Sequence, residues 1–242
     1  MSELLQRISE ATVKMETRIG QGVAIPGGFI LTAAHCIEWS SEGAMPTFGD
    51  TFLEWVVTKS GKRFRATPIA MDPVSDIAVL GAPDNQVFGE DAEAFDEWME
   101  TTAPVPLAPK PPLPRHSVKA RVLTHHNEWI DAKIINHSFS GVNSACMAIQ
   151  SAKPIWNGTS GGPVVDLQGR LLGVVSIISD PEAAGQDEPI GQLPIACLAL
   201  PKWILLRMDP TFRARARAQQ RQVVKALLKN RTSEPPPPPA SS

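Results

Sequence analysis

The chain has 242 residues, 43% of them hydrophobic, and its 23 basic and 25 acidic side chains leave a formal net charge of -2. This composition is sufficient for a buried core in one large or two small domains. The balanced charge excludes a general polyanion binder, so nucleic acid is not an expected partner. No stretch approaches the roughly 20 consecutive apolar residues that span a bilayer, so we expect no membrane-spanning helix.

The first 18 residues alternate charged side chains with short apolar pairs and contain no apolar core of a secretory signal. We therefore expect a cytoplasmic location. The three cysteines, Cys36, Cys146 and Cys197, are odd in number, far apart and without CxxC spacing. This arrangement predicts reduced thiols and argues against a disulfide framework or a zinc site.

Short runs rich in β-branched residues fill the first hundred positions, and prolines and glycines separate them. Apolar residues alternate or cluster in these runs, a pattern typical of strands in a barrel or sandwich. Examples are ATVKMET, GVAI, FILTAAH, FLEWVVTK, RFRATPIA and IAVL. Residues 84–100 then carry seven acids and no base, which predicts a solvated helix or loop at the end of a first β-rich half, residues 1–100.

A proline-rich segment divides the chain. Residues 101–115 contain six prolines, which lack backbone donors and favour extended backbone, so we predict a linker there. The β-rich pattern returns in residues 116–206, with runs such as VKARVLTH, EWIDAKIIN and LLGVVSII. This second half is followed by a predicted C-terminal helical extension, an amphipathic basic helix over residues 207–230, and by a disordered proline-rich tail over residues 231–242.

The charge is distributed unevenly along the chain, because residues 202–231, which include the predicted basic helix, hold nine basic side chains and one acid. Two interpretations stay open. The helix docks on the chain's own acidic segment, residues 84–100, or it binds an acidic protein partner or polyanion. Deleting residues 211–242 distinguishes them, because salt-dependent association with a partner would disappear only in the second case.

Three separated segments carry side chains that suit nucleophilic catalysis: FILTAAHC contains His35, DPVSDIAVL contains Asp76, and NGTSGGPVVD contains Ser160. A serine hydroxyl is a weak nucleophile, so Ser160 needs a base, and imidazole is the side chain that titrates near neutrality. A carboxylate on the other ring nitrogen of His35 would stabilise the imidazolium. Asp76 and, four residues before it, Asp72 are the candidates.

Glycines surround the candidate nucleophile at positions 158, 161 and 162. They permit a tight backbone turn that other residues would resist. In such a turn the amides of Gly158 and Ser160 can point together at a developing oxyanion. The sequence therefore predicts an oxyanion hole formed by these two residues.

In the order His, Asp, Ser, the three motifs resemble the trypsin-like (chymotrypsin-fold) serine peptidases over about residues 10–206. Asp76, rather than Asp72, matches the D-I-A-L pattern of that family. The resemblance implies an all-β fold of two six-stranded antiparallel barrels with the triad between them. It also implies hydrolysis of peptide bonds through an acyl-enzyme, with no metal or organic cofactor. An esterase-like acyl hydrolase and a catalytically idle protein-binding module are the alternatives.

Departures from the digestive members of the family indicate a subgroup. Thr159 stands where those enzymes have an aspartate that pairs with a newly cut amino terminus, so that ion pair cannot form here. TRIGQG imitates a cleavage site, but Arg18 lies only nine residues before Gly27, too close to free a strand. Cys36 also lacks the cysteine that would bridge it in extracellular relatives. These features resemble the HtrA-like bacterial branch, although no PDZ domain is expected after residue 206.

The resemblance further implies how a polypeptide substrate binds. The backbone of residues 176–178 pairs with the extended substrate, and Ser176 supports the triad aspartate. The floor of the primary pocket falls near Pro154 and its walls near Ile178 and Gln192, none of which carries a charge. A buried lysine or arginine of the substrate would find no carboxylate partner there, so we predict cleavage after Ala, Val or Leu.

One remaining feature is the adjacent pair His125 and His126. We place this pair in a strand, where neighbouring side chains point to opposite faces. No cysteine or carboxylate spacing completes a metal site around them. The pair is therefore expected to have a surface or core role.

Overall fold

The computed structural model describes most of the chain: residues 2–42, 45–48, 53–113, 116–135, 146–151, 153–177 and 190–211. No helix within these ranges is both long enough and apolar enough to cross a membrane. The predicted basic helix beyond residue 211 and the proline-rich tail lie outside the described residues.

Among the described residues, the first half of the chain forms eight strands between two helices. Six of the strands close into an antiparallel barrel, and the other two form a separate hairpin. The elements are α1 (Glu3–Glu10), β1 (Thr12–Met15), β2 (Gly20–Ile25), β3 (Phe29–Thr32), β4 (Trp39–Glu42), β5 (Met45–Phe48), β6 (Glu54–Val57), β7 (Arg63–Asp72), β8 (Ile77–Gly81) and α2 (Gly89–Thr101).

The barrel has the strand order β1-β2-β3-β8-β7-β6, and β6 pairs back to β1 to close it. Three consecutive strands of the barrel, β2, β3 and β8, are buried along their whole length. This burial explains why FIL and IAVL are continuous apolar runs, whereas strands with one solvated face alternate. The His and Asp motifs directly follow β3 and directly precede β8, at neighbouring positions of the barrel.

The second half forms another six-stranded antiparallel sheet, with the strand order β13-β12-β9-β10-β11-β14. Its two outer strands approach each other through the bridge between Gly173 and Ile195, which curls the sheet into a second, nearly closed barrel. The fold class predicted from the sequence is therefore confirmed. The elements are β9 (Ser117–Leu123), β10 (Trp129–Ile135), β11 (Cys146–Ser151), β12 (Pro163–Asp166), β13 (Leu171–Val174), β14 (Gly191–Pro194), α3 (Ala196–Ala199) and α4 (Lys202–Met208).

In its described residues, the proline-rich segment between the barrels packs against both of them. The backbone N–H of Val105 donates to the carbonyl of Ala24 in the first barrel at 2.8 Å. The N–H of Ala108 donates to the carbonyl of Leu171 in the second barrel, also at 2.8 Å. Val105 and Ala108 are both buried. The linker therefore ties the two halves together at this point.

Helices α2 and α4 pack on the first barrel. In α2, Phe95 and Trp98 contact Phe64 with ring centroids 5.8 and 5.7 Å apart. Six of the seven acidic residues of the segment are exposed, whereas the side chain of Asp91 is 14% exposed and pairs with Arg65 of β7. In α4, the ring of Trp203 forms a T-shaped pair with the ring of Phe29, and their centroids are 6.5 Å apart. Because α4 comes from the second half of the chain, its packing on the first barrel adds a second connection between the halves.

Candidate active site

His35 lies in a short 3-10 turn, Ala34–Cys36, directly after β3. Both neighbours of His35 in this turn are buried, and Cys36 is fully enclosed in the core of the first barrel. The alternation of buried, exposed and buried residues in AHC turns the imidazole outward, with 45% of its side chain exposed. The local sequence therefore anchors the backbone on both sides and leaves the ring accessible to solvent.

Asp76 ends the turn between β7 and β8 in the left-handed conformation, with φ 54°. Aspartate and asparagine adopt this conformation more readily than most residues, although it is strained for any side chain with a Cβ. Asp72, the competing candidate, lies at the start of the same turn. Its carboxylate accepts hydrogen bonds from the backbone N–H groups of Val74 and Ser75 at 3.0 and 3.3 Å, so it shapes the turn.

Among the described residues, three hydrogen bonds reach the carboxylate of Asp76. His35 donates twice, from Nδ1 to Oδ2 at 2.8 Å and from its backbone N–H to Oδ1 at 3.0 Å. The hydroxyl of Ser176, which follows β13 in the second barrel and is 4% exposed, donates to Oδ2. The carboxylate of Asp76 is thus bonded to a donor residue from each barrel: His35 from the first and Ser176 from the second.

These hydrogen bonds shift the pKa values of His35 and Asp76. The hydrogen bond to Asp76, and the contact with Cys36, raise the pKa of His35 above its ordinary value of 6.5, although partial burial opposes the rise. Burial alone would raise the pKa of Asp76, but the donors from His35 and Ser176 outweigh it and lower that pKa. The carboxylate is therefore ionised, and it favours a positive charge on the imidazole.

Ser160 lies in the turn that leads into β12, and its backbone carbonyl accepts a hydrogen bond from the N–H of Gln21 in the first barrel at 2.7 Å. The hydroxyl of Ser160 donates to the carbonyl of Ser176 at 3.4 Å. Among the contacts of the described residues, none is a hydrogen bond between Ser160 and His35. In enzymes without substrate such a bond is often long or poorly aligned and tightens when substrate binds.

The predicted oxyanion donors lie on either side of Thr159. Gly158 has φ +90°, which a residue with a side chain would adopt only under strain. The N–H of Thr159 donates to the carbonyl of Trp156 at 3.2 Å. Within the described part of the chain, the N–H groups of Gly158 and Ser160 donate to no protein acceptor. These two amides are therefore available to an external oxygen.

The residues predicted to contact substrate differ in their exposure and in their backbone pairing. Ser176 and Ile177 pair with Gln192 of β14 through two backbone hydrogen bonds of 2.8 Å, so this segment is extended. The side chain of Gln192 is exposed, and so is Pro154, the predicted pocket floor. Ile178 lies outside the described residues. The roles of these residues in a specificity pocket stay predictions.

Two features of the site did not follow from the sequence analysis. His125 and His126 lie in the turn between β9 and β10, not in a strand, and their rings are 3.7 Å apart between centroids, so the expectation of opposite faces was wrong. Gln21 is the second feature: it is 5% exposed and contacts the turn around Ser160. Its position between two glycines in a buried strand, GQG, was the available signal.

Comparison with known proteins gives a family and a set of similar folds. The family model described as "Trypsin-like peptidase domain" matches residues 20–174. Among solved structures, the active form of the Rv3671c protease from M. tuberculosis is 20% identical with a TM-score of 0.52, and the match covers 80% of this chain and 79% of that one.

Two further structures are similar. The serine endoprotease from Yersinia pestis is 21% identical with a TM-score of 0.53 over 85% of this chain and 65% of that one. The HtrA-type protease AlgW, solved with a tripeptide, is 19% identical with a TM-score of 0.51 over 81% and 60%. The match thus spans less than two thirds of those two chains, and at such identities it supports the fold alone. The family model covers more than half of this sequence, and the chain belongs to the trypsin-like peptidase family.

Proposed function

We propose that this chain is a serine endopeptidase that hydrolyses peptide bonds through an acyl-enzyme, with His35, Asp76 and Ser160 as the catalytic triad. One observation carries the proposal. The Asp76 carboxylate accepts hydrogen bonds from His35 of the first barrel and Ser176 of the second, and the carbonyl of Ser176 in turn accepts from the Ser160 hydroxyl. A single connected set of hydrogen bonds therefore includes all three residues.

In the proposed reaction, Ser160 Oγ attacks the carbonyl carbon of the scissile bond while Nε2 of His35 takes the hydroxyl proton. Asp76 stabilises the imidazolium that forms. Collapse of the tetrahedral intermediate breaks the C–N bond, and the imidazolium gives its proton to the leaving amine. Water, activated by His35, then attacks the carbonyl carbon of the acyl-enzyme. The ester C–O bond breaks, the acid product leaves, and the imidazolium returns its proton to Ser160 Oγ.

The negative charge on the tetrahedral intermediate requires donors that are already in place. The free amides of Gly158 and Ser160 are proposed to supply them, and the loss of one such donor costs about 10² to 10³ in rate. The polypeptide substrate is proposed to lie extended along Ser176 and Ile177, as an added strand. Its backbone N–H would then take the place of the Ser160 hydroxyl at the Ser176 carbonyl, which releases that hydroxyl towards His35.

The proposed preference is for small or aliphatic residues before the scissile bond. Pro154, Ile178 and Gln192, the residues assigned to the pocket by the resemblance, are all uncharged. A lysine or arginine buried there would lose its hydration without gaining a counter-charge, at a cost of several kcal/mol. The cytoplasmic location and an acidic partner for the basic C-terminal segment stay predictions.

A catalytically idle binding module is the second candidate. It is favoured by the direction of the Ser160 hydroxyl, which donates to Ser176 and not to His35. In such a protein the cleft would bind an extended polypeptide without cleaving it. Both candidates would bind an extended polypeptide, but only the peptidase would cleave it.

The experiment that separates them measures cleavage of an internally quenched peptide library by the wild-type chain, by Ser160→Ala and by Ser117→Ala. Ser117 is an exposed serine at the start of β9 and serves as the matched control. The proposal predicts turnover by the wild type and by Ser117→Ala, and none above background by Ser160→Ala. Turnover of esters without peptides would favour the acyl-hydrolase alternative, and peptide binding without any turnover would favour the idle module.

A further inference from the structure

Thr159 directly precedes the proposed nucleophile, and its side chain is fully buried. The hydroxyl oxygen accepts a hydrogen bond from the backbone N–H of His125 at 3.4 Å and lies 3.2 Å from Nδ1 of the same residue. A buried hydroxyl without partners is destabilising, so this pairing stabilises the turn. Since the oxygen already accepts from the N–H, its own proton is free to bond Nδ1 of a neutral ring.

The surroundings of His125 favour that neutral ring. Partial burial, the neighbouring His126 and Lys14 of β1 all lower the pKa of His125 below its ordinary value. The ring also lies against the catalytic turn itself: a Cβ built on Gly158 would be 3.4 Å from Cγ of His125. His125 therefore contacts Thr159 and lies beside Gly158, one of the proposed oxyanion donors.

Gln21 contacts the same turn from the first barrel. Its side-chain Nε2 donates to the carbonyls of Thr159 and Leu123, at 3.5 and 3.4 Å. Its backbone N–H donates to the carbonyl of Ser160 at 2.7 Å, and its own carbonyl accepts from the hydroxyl of Thr32 at 2.6 Å. Gln21 thus donates hydrogen bonds to the carbonyls of Thr159 and Ser160. The N–H group of Ser160, which lies between these two carbonyls, is the second proposed oxyanion donor.

The approach of Gln21 is close enough to explain the paired glycines after Ser160. A Cβ on Gly161 would lie 1.9 Å from the carbonyl oxygen of Gln21, and a Cβ on Gly162 would lie 2.7 Å from its Nε2. Gly161 also has φ +76°. The turn is therefore folded tightly against Gln21, and no residue with a side chain fits at either position without displacement.

We propose that Gln21 and His125 are positioning residues for catalysis: acting on Thr159 and its neighbours, they hold the turn of residues 158–162 in the shape that presents both oxyanion amides. This inference rests on the proposed peptidase function. The neutral hydrogen bonds of Gln21, Thr159 and His125 would provide the support that an ion pair with a cut amino terminus would otherwise give. The oxyanion site would then be assembled in the chain without amino-terminal cleavage.

The first test removes the Thr159 hydroxyl at nearly constant volume. In Thr159→Val we expect kcat to fall about ten- to a hundredfold with KM changed less than about threefold, because an oxyanion donor acts mainly in the transition state. Thr159→Ser keeps the hydroxyl and should restore kcat to within about threefold of the wild type. A change in KM alone, or no rescue by serine, would overturn the assignment.

A pair of adjacent variants provides the control. His125→Phe should lower kcat as Thr159→Val does, whereas His126→Phe, which replaces the neighbouring exposed ring, should leave kcat within about twofold. The double variant Thr159→Val/His125→Phe should lose no more than Thr159→Val alone, because Thr159→Val already breaks the hydrogen bond to the ring that His125→Phe removes. Equal losses in His125→Phe and His126→Phe would contradict the proposal.

A second readout does not depend on activity. Hydrogen exchange measured by mass spectrometry on the peptide that contains residues 156–162 should accelerate in Thr159→Val and in His125→Phe but not in His126→Phe. If the wild type had no peptidase activity, the proposed function would fail, but this measurement would still show whether His125 orders the turn. Unchanged exchange in His125→Phe would overturn the inference, including in the case where Thr159→Val does not fold.

Discussion

Asp76→Asn replaces one oxygen of the carboxylate by an NH2 group with almost no change in shape. In the wild type, Oδ1 accepts from the backbone N–H of His35, while Oδ2 accepts from His35 Nδ1 and from Ser176. The backbone N–H cannot change its role, so the amide oxygen should keep the Oδ1 position. The amide NH2 then faces Nδ1, and His35 must turn that nitrogen into an acceptor by moving its proton to Nε2.

This change of tautomer removes the general base. A His35 ring that carries its proton on Nε2 has no lone pair to offer to the hydroxyl of Ser160. We expect kcat to fall by about 10⁴, which corresponds to about 5 kcal/mol of transition-state stabilisation. The loss of charge-assisted hydrogen bonds should also lower the free energy of unfolding by about 1.5–3 kcal/mol.

The assay compares kcat/KM for a fluorogenic peptide in the wild type, Asp76→Asn and Asp72→Asn, with circular dichroism to establish that each variant is folded. Asp72→Asn is the matched control, because an asparagine oxygen can still accept from the N–H groups of Val74 and Ser75. Its kcat/KM should stay within about threefold of the wild type. Retention of more than about a tenth of the wild-type kcat in folded Asp76→Asn would refute the reasoning.

Three further predictions concern pH, processing and specificity. Because only neutral His35 can accept a proton and its pKa is raised, kcat/KM should increase with pH along a limb whose midpoint lies above 6.5; a midpoint below 6.5 would contradict the pairing with Asp76. Intact-mass spectrometry of active protein should find the uncut chain, and activity confined to a form cut after Arg18 would show that cleavage is required. Peptide-library profiling should find Ala, Val or Leu before the cleaved bond, and a profile dominated by Lys or Arg would contradict the uncharged pocket.

Much of the fold was predictable because its signals are local. Prolines and glycines separate short β-rich runs, and His35, Asp76 and Ser160 lie in motifs of eight to ten residues. The choice of Asp76 over Asp72 did not come from spacing alone; it needed the resemblance to a family. The structure adds a physical reason, because Asp72 is occupied by the N–H groups of its own turn while Asp76 is bonded to His35.

The parts that sequence reasoning missed depend on contacts between distant residues. Gln21 and Thr159 are 138 positions apart; the GQG pattern indicates a polar residue in a buried strand, but it does not identify Thr159 as the hydrogen-bond partner. His125 was placed in a strand because VKARVLTH alternates, but β9 ends at Leu123 and the two histidines lie in the following turn. The pocket residues depend in the same way on how distant loops meet, and so the resemblance could only suggest them.

The central claim is that Ser160 is a nucleophile activated by His35. It is tested most directly by treating the folded chain with a fluorophosphonate and locating the adduct by peptide mapping. The account predicts one adduct per chain, on Ser160, formed at a rate that falls by several orders of magnitude in His35→Ala. No adduct on the wild type, an adduct on another serine, or equal labelling of His35→Ala would contradict it.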